Sequence, residues 1–291
     1  MPKPLPLALR GLRFFYRFLS PVLPGLGVRL LWRVFRPRRR QLRAGPVQFL
    51  AGAELFFFAS TGALTGVSLR LQGYRWGNGP RTVLLVHGWE GSPTDFRDLV
   101  PALLHRGYTV VAFDMPAHGR SEGLETNLVE MRQALLDYTR SAGLPFAIIA
   151  HSMGGIAAAL LLTDSSTSVE KFAFVASPLS AQASFDVAFT PLRVPPAIRR
   201  RFYQRLARHL RQPVESIALP PANQLHAGHL LGVYDATDEQ VTFDAVQRYL
   251  AANPAIAQYE VRGVGHTRIL RHPPVVQRLI GFLAAEVEAG A

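Results

Sequence analysis

The sequence predicts an α/β fold with a mostly parallel central β-sheet flanked by helices, and three observations lead there. Short runs that are apolar at every position recur along the chain, among them RTVLLVH at 81–87, YTVVAF at 108–113 and PFAIIA at 145–150. A strand that is apolar on both faces is buried on both faces, which parallel sheets with helices on each side achieve. Amphipathic stretches of helical length lie between these runs, giving the strand-helix alternation of βαβ units. The 291 residues are 48% hydrophobic and 18% charged, enough for one large domain with a substantial core.

Residues 1–50 read as a basic amphipathic arm and 51–291 as the α/β domain. The arm carries eleven basic residues and no acid, with Arg10, Arg13 and Arg17 on one helical face and Arg29, Arg33 and Arg36 on another. Pro21 and Pro24 interrupt the chain between the two stretches. Two roles are open for this arm: peripheral contact with a membrane through residues 1–43, or packing on protein. The charge-free run at 18–28 holds two prolines and two glycines and is too short and broken to span a bilayer.

In the body, strands are expected at 54–60 and 66–76, joined by a turn at Thr61 and Gly62, then at 81–87, 108–113, 146–150, 171–176, 229–234 and 256–262. Helices are expected at 95–106, 126–141, 153–163, 241–252 and 275–288. The stretch 178–226 breaks the alternation, is rich in proline and arginine, and reads as an inserted helical lid. Its arginines, Arg199 to Arg201, Arg205, Arg208 and Arg211, read as a solvated helix face.

The composition excludes several chemistries. Without cysteine there are no disulfides, no thiolate catalysis and no cysteine-held metal, and a cytoplasmic location, at most peripheral at a membrane, is expected. Outside the arm, 21 basic residues face 20 acidic ones, so the body is nearly neutral overall and is not expected to bind nucleic acid.

Two serines stand between small residues at the spacing of a nucleophile turn. In Gly119-Arg120-Ser121-Glu122-Gly123 the serine lies in a polar loop well after the strand that ends at Phe113. In Ala150-His151-Ser152-Met153-Gly154-Gly155 an apolar strand runs straight into a small-residue helix. A strained strand-to-helix turn exposes its serine and needs small neighbours where strand and helix pass close. Ser152 is therefore the candidate nucleophile, and Gly154 supplies part of the needed room.

The run HGWEGSPTDF, LLHRGYTVVAFDMPAHGRSEG and AHSMGG resembles the α/β-hydrolase superfamily, most of all its bacterial esterase and lipase-like members, over about residues 66–285. The resemblance implies the rest of the site. The N–H of Met153 and, from the loop His87-Gly88-Trp89, the N–H of Trp89 would form the oxyanion hole, with Gly88 letting the backbone approach. His266, in Gly263-Val264-Gly265-His266-Thr267, would be the base, ahead of His226, His229 and His272. Asp238 would orient it, and Asp235 is the alternative, with a turn or capping role as its other reading. Asp114 and His118 would hold the loop after the fourth strand in shape, and His87 its own turn.

The expected reaction is hydrolysis of a carboxylic ester through a Ser-His-Asp triad and an acyl-enzyme, on a small-molecule or lipid-like acyl substrate, with no metal or organic cofactor. An acyltransferase using the same triad, and a non-catalytic membrane-associated scaffold, are the competing expectations. Dehalogenase chemistry is disfavoured, because that relative has a carboxylate where Ser152 stands.

Overall fold

The computed structural model describes residues 7–35 and 47–285. The arginines from Arg36 to Arg43 and the expected end of the last helix at 288 lie outside the described residues.

The arm forms helix α1 (Leu7–Phe14), a wider turn at Phe15–Leu19, helix α2 (Pro24–Phe35) and the short helix α3 (Val47–Ala51). One face of it packs on the body. Tyr16, Val28 and Leu31 are buried in the same cluster as the sheet's own core residues. The Tyr16 hydroxyl donates to the Gly27 carbonyl at 3.0 Å and ties the two halves of the arm together. The opposite face is exposed.

Eight strands form one sheet: β1 (Glu54–Thr61), β2 (Ser68–Trp76), β3 (Thr82–Val86), β4 (Thr109–Phe113), β5 (Ala147–His151), β6 (Val169–Val175), β7 (Ala227–Asp235) and β8 (Ile256–Val261). Their spatial order is β1-β2-β4-β3-β5-β6-β7-β8. The β1–β2 and β2–β4 pairs are antiparallel and all the others parallel. The pleat of the central strands divides their side chains between two cores. Leu84, Val86, Ile148 and Ala150 face one core, and Val83, Leu85, Ala147 and Ile149 face the other.

Helices α4 (Leu99–His105), α5 (Leu128–Ala142) and α6 (Met153–Leu161) cover the sheet as the alternation requires. Leu99 and Leu103 of α4 lie in the second core; Met131, Leu135 and Ile156 of α5 and α6 lie in the first. Asn127 caps α5, its side chain accepting from the N–H groups of Val129 (2.9 Å) and Glu130 (3.1 Å). The helix expected at 95–106 is split. Pro101 has no N–H and its ring conflicts with the carbonyl four residues back. It is tolerated only in a first turn, so α4 begins at Leu99 and a separate 3₁₀ turn fills Pro93–Phe96.

The stretch 178–226 holds α7 (Ala181–Phe189) and α8 (Pro196–Leu210), set between β6 and β7. Arg199 pairs with Asp186 at 3.4 Å, and the Arg205 guanidinium lies 4.5 Å above the Trp32 ring. These two side chains join helices to one another; Arg200, Arg201, Arg208 and Arg211 are exposed. Helices α9 (Phe243–Ala251) and α10 (Pro273–Ala284) complete the layers.

The β1–β2 turn is held from below by Glu130 of α5, whose carboxylate accepts from the N–H groups of Ala63 (2.8 Å) and Leu64 (3.0 Å). Removing a buried acceptor strands its donors at a cost of about 1–3 kcal/mol. Glu130→Ala is accordingly expected to lower the thermal midpoint by roughly 2–4 °C per kcal/mol lost, followed by circular dichroism. An unchanged midpoint would show that the turn stands without this carboxylate.

Candidate active site

The sequence places Ser152 at the single-residue step between β5 and α6. Its backbone lies at φ 53°, ψ −130°, a region that a residue with a side chain occupies only under strain. The turn closes because its neighbours are small. A Cβ on Gly154 would come within 2.5 Å of the His87 carbonyl oxygen, and one on Gly88 within 2.8 Å of the Ser152 Cβ. The two loops therefore touch through glycines, which brings the residues after β3 beside the serine.

Three segments distant in sequence meet there. Asp238 follows β7 and His266 follows β8. The imidazole Nδ1–H donates to Asp238 Oδ2 at 2.6 Å, since a carboxylate can only accept. This leaves Nε2 as the acceptor, and the Ser152 hydroxyl donates to it at 2.9 Å. The Asp238 side chain is 1% exposed and that of His266 11%, so the pair is shielded from water. Asp238 Oδ1 accepts from the Gln240 N–H at 2.8 Å, which fixes the carboxylate's orientation.

Asp235 does something else. Its Oδ1 accepts from the Thr237 N–H and hydroxyl, both at 2.8 Å, and its Oδ2 from the N–H groups of Val264 (2.6 Å) and Gly265 (2.5 Å). It staples the loop that carries His266. Burial alone would raise its pKa, but the N–H groups of Gly265, Thr237 and Val264 and the Thr237 hydroxyl overcome this and hold it at about 2. Of the two carboxylates expected near the base, Asp238 meets the imidazole and Asp235 meets the backbone beneath it.

Two histidines contribute contacts that the sequence reading assigned to neither. His151 Nε2 donates to the His266 carbonyl at 2.9 Å, linking the residue before the serine to the main chain of the imidazole-bearing loop. Burial, with the His266 ring nearby, pushes the His151 pKa down to about 3, so it is a neutral donor. His118 Nε2 accepts from the Glu90 N–H at 3.1 Å and braces the loop of Gly88 and Trp89. The only sequence signal was their place inside the two motifs.

The expected structural roles of Asp114 and His87 correspond to real contacts. Asp114 accepts from the Tyr74 hydroxyl (2.9 Å) and the Arg120 N–H (3.0 Å), and burial raises its pKa to about 6. His87 accepts at Nε2 from the Met115 N–H (3.1 Å) and donates from Nδ1 to the Gly88 carbonyl (2.8 Å); burial pushes its pKa down to about 3. Ser121 is fully buried in the loop after β4, its hydroxyl donating to the Asp114 carbonyl and accepting from the Gln72 N–H.

Ser152 and His266 open onto a cleft of about 720 Å³ that Trp89 and Met153 also border. Phe185 and Ala188 of α7 and Val34 of α2 also line it. Trp89, Met153 and Phe185 are shared with a second, apolar chamber of about 40 Å³, walled by Trp32 of α2, Phe202 and Leu206 of α8, and Ile217.

Known proteins resemble this chain in the same region. A family model described as the α/β-hydrolase fold matches residues 81–266. The dihydrolipoyllysine-residue acetyltransferase component of the acetoin cleaving system of Cupriavidus necator is 34% identical over 126 residues, 42% of this chain and 33% of that protein. A serine hydrolase-like protein of Homo sapiens is 32% identical over 116 residues, 36% of this chain and 54% of that protein. The chain thus spans between a third and about half the length of these curated relatives. Among solved structures, an esterase of Pyrococcus furiosus superposes with a TM-score of 0.61 at 19% identity, covering 85% of this chain and 97% of that one. A bacterial membrane phospholipase A superposes with a TM-score of 0.61 at 17% identity, covering 95% of this chain and 97% of that one. At such identities the structural likeness is one of fold. The strand order, the turn at Ser152 and a family model spanning the segments that carry Ser152, Asp238 and His266 make this chain a member of the α/β-hydrolase family.

Proposed function

We propose that the protein is a serine hydrolase that cleaves a carboxylic ester through an acyl-enzyme. The observation that carries this reading is the unbroken hydrogen-bond series from the Ser152 hydroxyl through His266 to Asp238, opening on a cleft. Ser152 attacks the ester carbonyl as His266 Nε2 takes its proton. Asp238 holds the imidazole in the Nδ1–H tautomer and stabilises its cationic form. The N–H groups of Trp89 and Met153 receive the oxyanion, and the start of α6 adds positive potential beneath it. His266 then returns the proton to the leaving alkoxide. In the second half-reaction the same nitrogen deprotonates water, which releases the carboxylic acid and restores Ser152.

The apolar chamber beside Met153 takes the acyl end of the substrate, with α7 and α8 as the lid over it; at about 40 Å³ it admits a longer chain only as that lid parts. Its walls offer a hydrocarbon tail what water does not: about 0.8 kcal/mol for each CH₂ buried. The cleft, with its more polar border at Glu90, Gln240 and Thr267, takes the alcohol side.

A fluorophosphonate probe is expected to label the wild-type protein and not Ser152→Ala; a wild type that stays unlabelled would end the hydrolase reading. Asp238→Asn is expected to cut kcat by roughly 10³–10⁴-fold with little change in KM, because the tautomer is lost and binding is not. If the released acyl group appears on an added alcohol in preference to water, the acceptor assignment fails and acyl transfer replaces it.

Asp235 gives a contrasting test. Its folded pKa of about 2 lies below the free value of 3.8. It therefore stabilises the fold above pH 3.8, and this is lost as pH falls through 3.8 toward 2. Asp235→Asn is expected to move acid unfolding to higher pH, followed by circular dichroism across the acid range; an acid midpoint equal to wild type would show that this carboxylate does not stabilise the loop.

Leu206→Trp, which fills the chamber, is expected to lower kcat/KM for long-chain acyl esters by about tenfold or more relative to short ones, since several buried CH₂ groups lose their place. Parallel losses for both lengths would put the acyl chain elsewhere.

A further inference from the structure

We propose that the outward face of the N-terminal arm docks on an anionic lipid bilayer, and that docking brings the mouth of the Ser152 cleft to the lipid surface. The first half stands on the arm alone; the second rests on the hydrolase reading.

The arm has two faces with different fates. Tyr16, Val28 and Leu31 are buried against the body. On the other side Phe14, Phe18, Leu19, Val22, Leu23 and Leu26 are 43–76% exposed. The rings of Phe14 and Phe18 are 5.0 Å apart, and the others follow along the turn after them and the start of α2, so the arm carries an exposed apolar ridge spread between residues 14 and 26. Scattered apolar residues on a surface need no explanation, but a ridge of them does.

Charge selects the occupant. Arg10, Arg17, Arg29 and Arg33 are exposed on the same segments of the arm, and residues 1–50 contain eleven cations and no carboxylate. An apolar ridge among arginines matches the boundary of acyl chains and anionic headgroups, where such helices lie about 5–10 Å deep. A second copy of this chain would bring another wholly cationic arm against the first. No helix among the described residues is long and apolar enough to cross a membrane, which leaves docking in the plane of the surface.

The ridge is continuous with the cleft. Helix α2 starts with Leu26 in the ridge and carries Trp32 into the wall of the apolar chamber and Val34 to the edge of the Ser152 cleft. From Leu26 to Val34 the rise is roughly 12 Å at 1.5 Å per residue. A lipid-borne ester leaving the bilayer at the ridge therefore has only a short path along α2 to both openings.

The test uses the full chain with vesicles of phosphatidylcholine alone or mixed with phosphatidylglycerol. Sedimentation is expected with the mixed vesicles and not the neutral ones, weakening as salt rises. The variant Phe18→Ser/Val22→Ser/Leu23→Ser is expected to lose roughly tenfold or more in partitioning. It should still hydrolyse a soluble short-chain ester at the wild-type rate, which shows that it folds. Ser152→Ala should sediment like wild type, so binding is scored even if the hydrolase reading fails. Absence of wild-type sedimentation, or equal sedimentation of the ridge variant, overturns the docking. Dimers that dissociate in the ridge variant, without vesicle binding, assign the face to a second copy and overturn it too. If the ridge variant loses vesicle binding yet turns over vesicle-borne ester as fast as wild type, the link between ridge and cleft is overturned.

Discussion

The site depends on one strained residue. The backbone at Ser152 leaves the sheet and enters a helix in a single step, at a φ that favours glycine. The sheet holds it there: its N–H donates to the Val175 carbonyl of the next strand at 2.9 Å. Small residues at 88, 154 and 155 leave it space, and a rigid helix follows. The strain points the hydroxyl out of the sheet toward the loops after β7 and β8, where the imidazole and the carboxylate are already fixed by backbone contacts. Preorganisation of this kind is set during folding and costs nothing at the moment of reaction.

Much of this was legible in the sequence because its signals are local. TVLLV, TVVAF and AIIAH have no polar face, so they had to be buried strands, and the passage from AIIAH into MGGIAAALL fixed the elbow without long-range information. The assignment of His266 and Asp238 needed the family resemblance, since nothing in the composition of their loops separates Asp238 from Asp235. The structure separates them by direction: one faces an imidazole and the other four backbone N–H groups. The hydrogen bonds of His151 and His118 were not readable, because they join residues 115 and 28 positions apart through loops whose path no local pattern encodes. Pro101 could have warned that the 95–106 helix would be split.

The arm illustrates a different limit. Periodicity shows that a helix has an apolar side, but not what covers it. Here the apolar residues are divided. Tyr16, Val28 and Leu31 close the body's own core, and Phe14, Phe18, Leu19, Val22, Leu23 and Leu26 remain outside. The alternatives of packing on protein and facing outward are thus carried by different residues of the same two helices, and Trp32 makes the arm part of the wall beside the site.

The link from His151 to the His266 carbonyl has a mechanical consequence. It ties the strand end bearing the hydroxyl to the loop bearing the imidazole, so thermal displacement of one carries the other along. The side of the cleft formed by Phe185 and Ala188 takes no part in that tether, and Phe185 is packed instead against the rings of Phe189, Phe202 and Tyr203. The two sides are thus secured by separate sets of contacts, so loosening one leaves the other standing.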